Sequence, residues 1–136
     1  MENYSVQVPP YTVGPEAYKK IEKQCHIYGS KAVVIGGKKA MAAAKEKLLC
    51  AVEDTGIVDF VWFGGECTFE NAEALEQLEA VQQADVIFAV GGGKAIDTCK
   101  LVSIALEKPY FSFPTIASNC APTSAVSIVY NEDGTF

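Results

Sequence analysis

One histidine, His26, and five cysteines with no Cys-x-x-Cys pair leave this chain without a metal site that residue spacing alone can propose. Cys25, Cys50, Cys67, Cys99 and Cys120 form an odd, scattered set, so no disulfide framework is implied and reduced thiols are expected. No apolar run is long enough to span a bilayer as a helix, and the opening MENYSVQVPPYTV lacks the basic and then apolar profile of a signal peptide. A cytoplasmic protein without a membrane partner is expected. Basic residues are few: 11 Lys and Arg stand against 17 Asp and Glu, a net charge of -6, and no basic stripe with interleaved aromatics appears. Nucleic acid is therefore not an expected partner. Internal repeats and low-complexity segments are also missing. What remains is a chain of 136 residues, 49% of them hydrophobic, the length and apolar content of one domain with a core.

The pattern alternates between strand and helix. A strand is predicted near Ser5 to Val8, then a helix from about Pro15 to Gln24 with proline at a permissive early position. KAVVIG from Lys31 reads as the first buried strand, and Lys38 to Val52, rich in alanine, lysine and leucine, as a helix. Asp59 to Phe63 is the next strand. Thr68 is expected to cap a helix running to about Gln83, with Glu70 and Asn71 in its first turn. DVIFAV, Asp85 to Val90, is apolar and β-branched like a buried parallel strand, and Ala95, Cys99, Val102 and Leu106 then recur at helical spacing. A last strand pair, Tyr110 to Phe113 and Ala125 to Tyr130, brackets PTIASNCAPTS. NEDGT, Asn131 to Thr135, signals a hairpin turn. Such alternation predicts an α/β fold: a doubly wound, mostly parallel sheet whose ligand sits at the carboxyl ends of the strands, where Gly36, Gly64 and Gly91 fall.

VGGGKAIDT, Val90 to Thr98, carries the chemistry. Glycines between a strand and a helix let the backbone approach an anion, the first N–H groups of the helix point at it, and Lys94 adds a cation. A pyrophosphate fits such a cradle. Two familiar phosphate motifs fail here: a P-loop needs glycine and a hydroxyl where Phe88 and Ala95 stand, and the GxGxxG pattern meets Ile96 in place of its third glycine. A glycine run after a strand also serves as plain turn chemistry.

GGGKAIDT, together with FGGEC at Phe63 to Cys67 and FPTIASNCAPTSAVSIVYNEDGTF at Phe113 to Phe136, resembles the glycerol dehydrogenase branch of the iron-containing (group III) alcohol dehydrogenases. The resemblance extends from PYTVGPEAY at Pro10 to the end. It implies a Rossmann-like, dehydroquinate synthase-like N-terminal domain that binds NAD or NADP. Gly92, Gly93, Lys94, Ala95 and Ile96 would hold the cofactor phosphates and Asp97 would lie near the nicotinamide ribose. Thr115, Ile116, Ala117 and Ser118 would line the other side, and Ser124, Val126 and Tyr130 match further cofactor-contacting positions. The family continues into a helical domain that carries the ligands of a catalytic divalent metal, zinc or iron. None of those ligands is assignable here, so residues 1–136 are read as a truncated NAD(P)-binding domain, expected to be inactive alone. The whole enzyme would transfer hydride between nicotinamide and a small alcohol, polyol or carbonyl compound. A non-catalytic nucleotide- or partner-binding role is the rival reading.

Departures from the family pattern shape the details. Glycerol dehydrogenases usually carry an aspartate for the adenine-ribose hydroxyls where Gly37 stands, and with Lys38 and Lys39 beside it a 2′-phosphate would not be repelled. Cys120 replaces an aspartate that touches substrate hydroxyls, and a related branch with cysteine here is similar to enzymes that reduce 2-oxo acids. A thiol neither accepts two strong hydrogen bonds from a diol nor repels a carboxylate. His26 is expected near a helix end without catalytic duty. Glu73, Glu76 and Glu79 read as a solvated face, and Trp62, Phe63, Tyr110, Phe111 and Phe113 mostly as core. A domain face and a strand edge left unpaired would favour a homo-oligomer.

Overall fold

The computed structural model describes residues 10–52, 56–115, 121–122, 129–131, 133 and 135. The predicted strands near Ser5 to Val8 and over Ala125 to Tyr130 lie wholly or largely outside the described residues. A 3-10 turn, Ala17–Lys20, leads into α1, Ile21–Cys25. Then come β1 (Lys31–Gly36), α2 (Lys38–Ala51), β2 (Gly56–Trp62), α3 (Phe69–Glu76), α4 (Glu79–Gln83), β3 (Val86–Gly91), α5 (Gly93–Leu106) and β4 (Tyr110–Pro114).

The four strands are parallel and stand in the order β2-β1-β3-β4. Burial explains the order. Ala32 to Gly36 of β1 and all of β3 are buried on both faces, as continuous apolar runs require, whereas β2 and β4 are only partly covered and form the edges. Alternate residues feed two cores. Ala32, Val34, Phe88 and Val90 pack with Leu48 and Met41 of α2 and with Ile21 and Cys25 of α1. Val33, Ile35, Ile87 and Ala89 meet Leu75, Val81, Ile96 and Val102 of the helices on the opposite face. Each fully buried Leu or Ile contributes roughly 1.5–3 kcal/mol relative to exposure. Phe88 anchors the β4 side through Phe113, edge-on at 5.3 Å between centroids, and Phe111 at 6.0 Å.

Three expectations need correction. The helix predicted from Pro15 to Gln24 begins as a 3-10 turn, because Glu16 makes no side-chain cap and the first turn tightens through Ala17 N to Gly14 O and Lys19 N to Glu16 O, both 3.1 Å. The helix predicted from Thr68 to Gln83 breaks at Leu78, whose ψ of 131° is extended. Leu75 and Val81 explain the break. They would lie roughly 120° apart around one straight helix, yet both are buried in the same core. Lys108 holds the second piece, its Nζ donating to the carbonyls of Val81 (2.9 Å), Gln82 (2.6 Å) and Ala84 (2.6 Å). Trp62 is 47% exposed rather than core, since it ends an edge strand. Phe63 is buried, and Tyr110, Phe111 and Phe113 are partly so.

Candidate phosphate-binding site

The chain runs from β1 to β2 on one side and then crosses to β3 on the other, so the connections diverge between β1 and β3. That junction is where an open parallel sheet leaves a crevice at its carboxyl edge. Here the two loops touch: Gly37 N donates to Val90 O at 3.2 Å. The approach is too close for side chains. A Cβ on Gly36 would stand 2.0 Å from Val90 O. Gly91 holds φ at +144°, and a Cβ there would stand 3.1 Å from that of Ala95 and 3.5 Å from Gly37 N. Gly37 differs, for its nearest neighbour to an added Cβ is 3.9 Å away.

Two helices start at this junction, both headed by glycine. Gly37 is the N-cap of α2 and Gly92 that of α5; neither makes a side-chain cap bond and neither helix has an acid in its first turn. The first intrahelical bonds are Met41 N to Gly37 O, 2.9 Å, and Ile96 N to Gly92 O, 3.1 Å. The amides of Lys38 to Ala40 and of Gly93 to Ala95 therefore precede the helical ladder, with the positive ends of both dipoles toward the crevice. Lys38, Lys39 and Lys94 are exposed beside them. The Lys38 ammonium stands 4.2 Å over the Trp62 ring, a contact with no local sequence signal.

Lys94 reaches back to the loop after β2. Its Nζ lies 2.8 Å from Oε1 and 2.7 Å from Oε2 of Glu66, and that hydrogen bond holds the Lys94 pKa above its ordinary value. The Tyr130 ring lies 5.8 Å from the same ammonium, and Tyr130 N donates to Cys67 O at 2.7 Å. Glu66 and Tyr130 border a cleft of about 420 Å³ that also meets Thr68, Glu70, Asn71 and Asp133. Glu66 was not among the residues expected at the site; FGGEC marks its loop, but nothing local reveals a partner 28 positions away.

The expected contacts divide. Gly92 and Gly93 are partly buried and Lys94 is exposed, while Ala95 and Ile96 are buried and the Ile96 amide is engaged by Gly92. Asp97 is buried with an oxygen 3.2 Å from the buried Lys100 ammonium. Burial raises the pKa of the neighbouring Cys67 thiol, against a lowering hydrogen bond with Thr98, and burial also raises that of Tyr110. Thr115 N donates to Gly91 O at 3.1 Å, which brings the start of the PTIAS loop onto the glycine run. Ile116, Ala117, Ser118, Cys120, Ser124 and Val126 lie outside the described residues. His26 ends α1, and among the described residues no three His, Cys, Asp or Glu side chains are grouped to hold a metal ion. No described helix is long and apolar enough to cross a membrane.

Comparison with known proteins gives a consistent result. The family model of iron-containing alcohol dehydrogenases matches residues 9–135. A glycerol dehydrogenase of Pseudomonas putida is 31% identical over 134 residues, covering 97% of this chain and 37% of its own length. Hydroxycarboxylate dehydrogenase A of Escherichia coli is 37% identical over 105 residues, 77% of this chain and 28% of that protein. The crystal structure of glycerol dehydrogenase from Schizosaccharomyces pombe superimposes with a TM-score of 0.80 at 27% identity, covering 98% of this chain and 34% of that one. The chain thus spans about a third of these relatives or less.

Proposed function

Because the chain belongs to the iron-containing alcohol dehydrogenase family, we propose that it binds NAD or NADP, with the pyrophosphate between the N-termini of α2 and α5. The observation that carries this reading is the junction itself, where Gly36 and Gly91 leave no room for a side chain and two uncapped helix starts meet. The residues fit the group: the amides of Gly93 to Ala95, which precede the helical ladder, would donate to phosphate oxygens, and Lys94 would supply a cation. Thr115, tied to Gly91 through its amide, would stand on the far side.

In this reading the chain is the nucleotide-binding half of an oxidoreductase, and a helical domain carrying the ligands of zinc or iron completes it. Bound nicotinamide supplies the hydride acceptor or donor, and the metal a Lewis acid for the alkoxide. This chain's own residues place the cofactor. A small alcohol or polyol is the proposed substrate class. A 2-hydroxy acid is the second reading, favoured by Cys120 in place of a diol-binding aspartate and by the likeness to hydroxycarboxylate dehydrogenase A. Gly37, flanked by Lys38 and Lys39, makes NADP an accepted cofactor beside NAD.

Calorimetric titration with NAD and NADP tests the binding. Both should bind, and Gly93→Val should weaken both by placing a side chain where phosphate approaches. Undiminished affinity in that variant would put the cradle elsewhere.

A further inference from the structure

Lys94 is the cation of the glycine-rich motif, yet its ammonium is already engaged by both carboxylate oxygens of Glu66, at 2.7 and 2.8 Å. The pair joins a fixed loop to a helix start. The Glu66 backbone is stitched into its loop: Asn71 Nδ2 and Thr68 N both donate to Glu66 O, at 2.8 and 3.1 Å, and Thr68 Oγ1 accepts from Asn71 N. Lys94 carries its charge on a flexible four-carbon stem at the start of α5. Both side chains are about half exposed, at 53% and 55%, so water competes for the pair and it can be broken.

A dinucleotide pyrophosphate at the start of α5 would bring a second anion to the same ammonium. Resting on the dinucleotide reading above, we propose that Glu66 competes with the cofactor pyrophosphate for Lys94, acting as an internal counter-ion that sets cofactor affinity and is displaced on binding. Carboxylate and phosphate repel one another, so the ammonium that bridges to one is drawn from the other. Glu66 is then an affinity-lowering residue. A Glu66 that merely aimed Lys94 at the phosphate would have the opposite effect on binding when neutralised, and the sign of the effect separates the two roles.

The test is calorimetric titration of the purified chain with NAD, NADP and inorganic pyrophosphate, using the wild type, Glu66→Gln, Lys94→Met and the double variant. Glu66→Ala serves as a second charge-removing variant, and thermal melting verifies folding in each. An exposed ion pair of this kind sets the scale, so either Glu66 variant should bind about two- to fivefold more tightly than the wild type. The gain should vanish in the Lys94→Met background, which a general change of surface charge would not produce. Equal or weaker binding by both Glu66 variants, with a wild type that binds, would overturn the counter-ion role and leave the dinucleotide reading standing. Failure of every folded variant to bind any of the three ligands would overturn both.

Discussion

The helices α3 and α5 begin at the same edge of the sheet and are built in opposite ways. At α3 a side chain closes the helix: Thr68 Oγ1 accepts the Asn71 amide at 3.1 Å, and Thr68 is itself buried. At α5, and at α2 on the opposite face of the sheet, glycine heads the helix and no side-chain cap is made. Relative to glycine a capping hydroxyl contributes only a few tenths of a kcal/mol, so the two glycine-headed helix starts forgo a little of the stability that the chain obtains at α3. The difference falls at the β1/β3 junction, the position where an anionic ligand can take the place of the cap. A helix end that is finished by its own side chain is scaffold; one left to backbone amides is available for binding.

The strongest way to break this contrast is Gly36→Ala. Its Cβ would meet the Val90 carbonyl oxygen at 2.0 Å, a backbone atom that cannot swing aside, and stability should fall by at least roughly 2 kcal/mol with loss of dinucleotide binding. Denaturant unfolding measures the first and titration the second; an unperturbed variant would mean that the two loops are not held together. Lys94→Ala should leave stability nearly unchanged, the pair with Glu66 being exposed, and weaken dinucleotide binding about tenfold. Thr68→Ala should do the reverse, costing about 1 kcal/mol in chemical unfolding with cofactor affinity unchanged. If Thr68→Ala weakened binding as much as Lys94→Ala does, the division between scaffold and binding end would fail.

The smallest change sharpens the comparison by converting one end into the other. Gly37→Asp fits, since the nearest atom to an added Cβ is 3.9 Å away, and its carboxylate can cap α2 as Thr68 caps α3. Stability should rise by about 0.5–1 kcal/mol. NADP affinity should fall relative to NAD, because the acid accepts from ribose hydroxyls and repels a 2′-phosphate. Competition titrations of the two cofactors measure the ratio; an unchanged ratio would show that this end of α2 does not read the ribose.

Much of the fold is legible in the residues. After their leading Lys31 and Asp85, KAVVIG and DVIFAV are apolar without interruption because both faces of a central parallel strand are covered, and the structure places them side by side in β1 and β3. The helix at Lys38 and the cap at Thr68 follow from local chemistry and occur where expected. The break at Leu78 does not, since only the demand that Leu75 and Val81 share one core imposes it. Trp62 reads as core by its apolar ring and stands exposed under Lys38, because an edge strand has one neighbour. Of the site, the glycines and Lys94 announce themselves; Glu66 does not.

Local sequence by itself determined the alternation of strand and helix, the two buried central strands, and a glycine run able to bring helix amides to an anion. Those features depend on neighbours a few residues apart, whose spacing and backbone freedom are written in order along the chain. Tertiary structure alone decided which glycines meet. The strand order β2-β1-β3-β4 sets Gly36 and Gly37 against Val90 and Gly91, carries Thr115 onto Gly91 O, and lays Glu66 against Lys94. The side on which each strand joins the sheet is chosen by the packing of both faces at once, and charge pairs between loops exist only after that choice is made.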